Sequence, residues 1–148
     1  MDTLFSKLTL TLTRVSLGWL MFYAGITKVM NPDWSAAFYL KDAKTFGGFY
    51  EWILNSSALP VVNFINAWGL TLLGISLIVG LGVRLSSILG AVLMLLYYFP
   101  ILSFPMVGEY SYIVDDHIIY ALVLVFFAAV RAGRVWGLDS VHKIKWFG

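Results

Sequence analysis

The chain has 148 residues, a formal net charge of +2, 60% hydrophobic residues and only 12% charged ones, with a mean hydropathy of +0.84. A soluble domain carries about a quarter charged residues, so lipid rather than water is expected to cover this one. The small charge, without a lysine-arginine run, sets nucleic acid aside. The absence of cysteine excludes disulfides, thiolate metal sites and covalent haem attachment.

Four stretches approach the roughly 20 residues that a helix needs to cross the hydrocarbon: about 8–29, 61–81, 85–104 and 113–130. They predict an all-α, integral membrane four-helix bundle, one domain over 1–148. The first stretch follows Lys7 but lacks a small-x-small cleavage site. It runs on through Gly25 and Lys28 into Asn31-Pro32, so it is expected to be retained. Pro60 suits the first turn of the second helix. Pro100 is expected to end or kink the third near Phe99. With both termini cytoplasmic, Lys7, Arg84, Arg131, Arg134, Lys143 and Lys145 lie inside, and Lys28, Lys41 and Lys44 lie outside among Asp33, Asp42, Glu51, Glu109, Asp115 and Asp116. The positive-inside rule favours that orientation, in the cell's inner membrane.

Residues 30–59 are too many for a plain connection. Phe46, Phe49, Tyr50, Ile53 and Leu54 fall at helical spacing and form one apolar stripe. The plain reading is an amphipathic helix on the outer leaflet, between the first two spans. The sharper one is a lid over an opening in the bundle. Ser76 with Gly80, and Ser86 with Gly90, are small pairs that let helices approach closely.

Charges inside a bilayer are costly, and each requires an account. Arg14, Gly18, Met21, Gly25 and Lys28 share one face of the first helix, with the two cations about 21 Å apart at 1.5 Å per residue. Arg14 either snorkels to the inner interface or meets an anion or polar head within the bundle. Lys28, taken alone, reads as an interfacial anchor. The fourth stretch opens on Asp115-Asp116-His117, with Tyr120 and Ala121 on the face of His117. The two carboxylates favour the positive helix end, and Lys28 is their nearest plausible mate. His117 is either a packing histidine or a proton-handling one. His142 falls at the opposite membrane face, which excludes an intramolecular bis-histidine haem. No metal-ligand spacing appears. Trp19, Phe22, Tyr97 and Tyr98 lie deeper than an interfacial belt requires. They either pack or wall a flat apolar ligand.

The order and spacing of several short motifs resemble the DoxX/DoxD family of small four-span membrane proteins. The residues are Arg14-x-x-x-Gly18 with Tyr23-Ala24-Gly25-Ile26-x-Lys28; Gly74 through Gly80-Leu81-Gly82-x-Arg84; Asp116-His117-Ile118-Ile119-Tyr120-Ala121; and Gly133-Arg134-x-x-Gly137-Leu138-Asp139. The resemblance implies redox associations, DoxD being similar to the membrane subunit of thiosulfate:quinone oxidoreductase. It marks Arg14, Lys28, Arg84, Asp116 and His117 as functional candidates. One departure is plain. Many DoxX members carry a glutamate shortly before the glycine matched by Gly74, whereas here that region reads Trp68-Gly69-Leu70-Thr71-Leu72-Leu73. Arg14 is thus expected to lack an anionic partner in the second span.

The function expected is that of an integral membrane subunit of an oxidoreductase system in the respiratory chain. It would interact with quinone near the outer leaflet and dock a protein partner, any catalysis belonging to it as such a subunit. Asp116 and His117 are the expected catalytic pair, with Arg14, Lys28, Tyr120, Trp19 and Tyr98 as ligand-binding residues. A quinone needs an apolar slot, a donor for its carbonyl and a proton route. The alternative is a non-catalytic structural or assembly subunit of a larger membrane redox complex.

Overall fold

The structure is a computed structural model that describes residues 3–141; His142, Lys143 and Lys145 lie outside the described residues. Four long helices dominate it: α1 (Leu4–Val29), α4 (Leu59–Val79), α5 (Val83–Ile101) and α6 (Asp116–Val130). Between the first two of these stand the short helices α2 (Ala37–Leu40) and α3 (Gly47–Asn55). Helix α1 lies along α4, and α5 along α6, with α4 also meeting α5. One core joins all four, through Leu17 and Met21, Leu73 and Leu77, Met94, and Leu124 with Phe127.

The face shared by Arg14, Gly18, Met21 and Gly25 is the buried face of α1. Its glycines set how near α4 can come. A Cβ on Gly25 would stand 2.3 Å from the Thr71 nitrogen, and one on Gly74 2.3 Å from the Phe22 nitrogen. In lipid, where burying apolar surface gives helices no drive to associate, such backbone contact supplies the packing energy. The anticipated small pairs also meet: Ser76 Oγ and Ser86 Oγ are 2.7 Å apart across the α4–α5 turn.

Among the described residues, α4 and α5 are long and apolar enough to cross a membrane. Helix α1 has the length, at 26 residues, while α6 is apolar but only 15 residues long. That helix begins later than expected. Ile113 stands at φ 60°, outside the helical region, and Asp115 is the cap, its carboxylate accepting from Ile118 N at 3.2 Å. The third helix ends earlier, at Ile101, one residue past the proline inside it. Leu102 and Ser103, predicted to continue it, instead form the first of three two-residue strands, β1 (Leu102–Ser103), β2 (Met106–Val107) and β3 (Ser111–Tyr112), antiparallel in that order. Strands so short have no period for a sequence pattern to reveal.

The α2–α3 segment packs onto the bundle. Ala36, Leu40, Tyr50 and Ile53 are buried together against Leu59, Val62 and Phe99, while Phe38, Phe46, Phe49 and Trp52 stay exposed. The segment thus sits on the bundle as the lid of the two sequence readings would, with aromatic side chains left uncovered. Its fastening depends on Pro100. A proline has no N–H to give the carbonyl four residues back, which leaves Leu96 O open, and the Tyr50 hydroxyl donates to it at 3.2 Å. Burial pushes the Tyr50 phenol above its ordinary range, which keeps it a donor. Lys44 N donates to Pro100 O at 2.8 Å and Thr45 Oγ1 to Leu102 O at 2.6 Å, so the lid is latched to the proline-broken end of α5.

Candidate ligand cavity

Beneath the lid lies a cavity of about 530 Å³, within the size range of small-molecule sites. Its walls are almost wholly apolar, among them Met21, Ile53, Leu70 and Met94. Helix α1 brings Lys28 to it, α4 brings Asn66, α5 brings Tyr97, and α6 brings His117 and Tyr120. Asn66 is the centre of the polar group, since its Oδ1 accepts from Lys28 Nζ at 2.8 Å and from the Tyr97 hydroxyl at 2.6 Å. Because lysine can only donate, this contact fixes which way the amide faces. Its Nδ2 makes no hydrogen bond among the described residues. Lys28 Nζ also stands 4.8 Å from the centre of the Trp34 ring and 5.3 Å from that of Tyr97, as a cation does over an aromatic face.

His117 meets the Tyr97 ring edge-on, 5.8 Å between centroids, and its Nδ1 is 2.6 Å from Asp115 Oδ2. With Nδ1 so engaged, Nε2 is the nitrogen left for chemistry in the cavity. The histidine's carboxylate partner is therefore Asp115, not the expected Asp116, which is exposed and outside the cavity lining. As first residue of a helix, Asp116 points where the cap beside it does not. Lys28 is likewise joined to the amide of Asn66 rather than to either carboxylate.

The other expected ligand residues separate by place. Lys28, His117 and Tyr120 line the cavity; Trp19, Tyr98 and Arg14 do not. Trp19 is 60% exposed on the outer surface of α1. Tyr98 is buried, its hydroxyl donating to Ile113 O at 2.5 Å and so tying α5 to the approach of α6. Arg14 is 1% exposed, in the first half of α1 and fourteen residues before Lys28. Its Nη1 donates to the carbonyls of Ala132 at 2.6 Å and Val135 at 3.1 Å, and Nη2 to Trp136 at 3.4 Å. These oxygens take the place of the missing anionic partner, just past the C-terminal end of α6, where helix dipoles favour a cation. Asp139 completes that end: its carboxylate accepts from Gly82 N at 2.7 Å and Val83 N at 3.1 Å, capping α5.

The DoxX family model matches residues 9–101. The chain belongs to the DoxX family. Neither a curated protein nor a solved structure matches it. Family and apolar helices together make this DoxX chain a membrane protein. The DoxX match takes in Lys28, Asn66 and Tyr97, whereas His117 and Tyr120 lie beyond it. Gly80 and Gly137, from two of the motifs, serve the arginine end. A Cβ on Gly80 would come 2.5 Å from Gly137 Cα, and one on Gly137 2.9 Å from Arg14 Nη1. Arg84, also within the match, is half-buried and outside the cavity lining. Asn66 was missed from sequence, though a signal existed, since an amide within an apolar span is an intramembrane polar residue.

Proposed function

We propose that this DoxX chain crosses the cell's inner membrane four times, through α1, α4, α5 and α6, with both termini cytoplasmic. We propose further that its cavity holds the ring of a quinone for a membrane oxidoreductase of which the chain is a subunit. The observation that carries this reading is the Lys28–Asn66–Tyr97 cluster on one wall of an otherwise apolar cavity. A flat apolar molecule with carbonyl oxygens finds there both a slot and donors. Lys28 has N–H groups beyond the one given to Asn66, and Asn66 Nδ2 is a further donor. Asp115 holds His117 Nδ1, so that Nε2 can give or take a proton at the cavity side. A quinone would supply the site's capacity to accept electrons and protons. The residues around it bind, orient and exclude water.

The orientation draws support from Lys7, Arg84, Arg131 and Arg134 lying toward the Arg14 end, against Lys28, Lys41 and Lys44 toward the lid. As the chain has no cysteine, single cysteines report its topology cleanly. In spheroplasts, an impermeant maleimide should label Glu109→Cys and spare Ser140→Cys until the membrane is opened; the reverse pattern would invert the orientation.

Binding is tested by photolabelling the purified protein with an azido-quinone. Asn66→Leu and Lys28→Met should each lower labelling on the order of tenfold, as expected for loss of a hydrogen bond to a charged or buried group. Labelling unchanged in both variants would remove the site. A protein that takes no quinone, yet copurifies with a redox enzyme, would instead be the assembly subunit.

A further inference from the structure

We infer that the cavity also takes an amphiphile whose ionised acidic oxygen sits on Lys28 Nζ and whose apolar chain leaves through the flank of the bundle. This rests on the reading of the cavity as a ligand site, and differs from a neutral quinone in the charge of the ligand.

The two cations on the buried face of α1 are treated differently by the fold. Arg14 gives Nη1 and Nη2 to acceptors belonging to the chain, three backbone carbonyls, with only its buried Nε left without a partner among the described residues. Lys28 has three N–H groups and one hydrogen-bond acceptor, the neutral oxygen of Asn66. Its remaining neighbours are ring faces, Trp34 and Tyr97, which favour a cation without neutralising it. Among the described residues no carboxylate lies within 4.0 Å of Nζ. The carboxylate of Asp115, beside the same cavity, is taken by His117. A charge held against apolar walls without a counter-charge is costly, and an anion arriving with the ligand relieves that cost.

The remainder of the cavity suits a chain. Leu20, Ile65 and Leu96 line it while being 42%, 54% and 44% exposed. The opening is therefore edged by aliphatic side chains on the flanks of α1, α4 and α5, where lipid would stand. A polar head at Lys28 can continue as hydrocarbon into the leaflet without crossing a polar boundary.

The test uses the full chain in a neutral detergent and the quenching of its tryptophan fluorescence, Trp34 being beside Nζ. Brominated stearate should quench at roughly tenfold lower concentration than its methyl ester. Lys28→Gln should abolish that preference and Lys28→Arg retain it. Brominated phosphatidic acid distinguishes a free carboxylate from a lipid headgroup; Lys28-dependent quenching by either anion supports the inference, and the stronger one identifies the source. Stearate and ester titrating together in the unaltered protein, or a preference that survives Lys28→Gln, overturns it. Azido-quinone labelling of the same sample separates the two readings. Labelling without anion preference sinks this inference alone, and a Lys28-dependent anion preference without labelling sinks the quinone reading alone.

Discussion

Three residues account for most of the polarity of the cavity, and they come from three helices. Lys28, Asn66 and Tyr97 meet at one oxygen, so losing the amide has a larger effect than its size suggests. Asn66→Leu should strand both the ammonium and the phenol, at a cost of about 1–3 kcal/mol for each donor left unpaired. A melting temperature several degrees lower would register this, and an unchanged one would mean that the two donors find other partners. Asp115→Asn tests the histidine's support. It should leave quinone labelling intact while slowing reduction with the partner enzyme, and it should shift the pH dependence of that step; an identical pH profile would exclude His117 as the proton carrier. At this scale the sequence was partly legible. Lys28, His117 and Tyr120 were recognisable as costly or facing groups. Asn66 carried only the weaker signal of an amide within an apolar span, and a single amide there breaks no helical period. The preference for Asp115 over Asp116 depends on cap geometry, decided by where the helix begins, and adjacent identical residues give no pattern by which to choose between them.

The elements were readable where they are long. All four long helices overlap the stretches that hydrophobic length marked, α5 ending three residues early and α6 starting three residues late, because an apolar period is legible only along many turns. The short pieces carry no such mark: the two-residue strands follow from Pro100 and a chain that must turn back to α6, not from local preference. Helix contacts make a sharper claim. Gly25 and Gly74 leave no room for a side chain between α1 and α4. Gly25→Leu or Gly74→Leu should therefore separate the pair and yield protein that aggregates on extraction, whereas the same change at Gly69, where a Cβ would meet only Ile65 Cγ2 at an ordinary 3.9 Å, should be tolerated. Size-exclusion profiles of the three variants check this directly. The lid invites a gentler substitution. Tyr50→Phe removes the donor to Leu96 O and should cost about 1 kcal/mol, read as faster hydrogen exchange in residues 47–55; unchanged exchange would show that the backbone latches at Lys44 and Thr45 suffice.

Across the whole molecule the two ends of α1 do different work. The Arg14 end is cross-braced by carbonyls, a carboxylate cap and two closely opposed glycines, and contributes no atom to the cavity. The Lys28 end carries the cavity, the lid and the histidine. Arg14→Leu would leave the Val135 and Trp136 carbonyls without their donor and Ala132 O with Val135 N alone. It should lower the melting temperature markedly while quinone affinity per folded molecule stays unchanged; an affinity that falls in step with Lys28→Met would place Arg14 in the binding chemistry. This division was only half visible beforehand. The shared face of Arg14 and Lys28 follows from helical spacing alone. What each cation meets depends on residues more than a hundred positions from Arg14 and 38 from Lys28, and only the folded chain brings these together.

The carbonyl that Pro100 leaves open has a consequence for ligand choice. Leu96 and Tyr50 both line the cavity, so the hydrogen bond that the phenol gives this oxygen joins two of the cavity's walls. While the phenol holds it, the cluster around Lys28 favours molecules that accept hydrogen bonds. Tyr50→Phe would leave that oxygen without its side-chain donor. On the quinone proposal, a stronger hold on the reduced ring, which carries hydroxyls, would be the sign that the oxygen reaches the ligand.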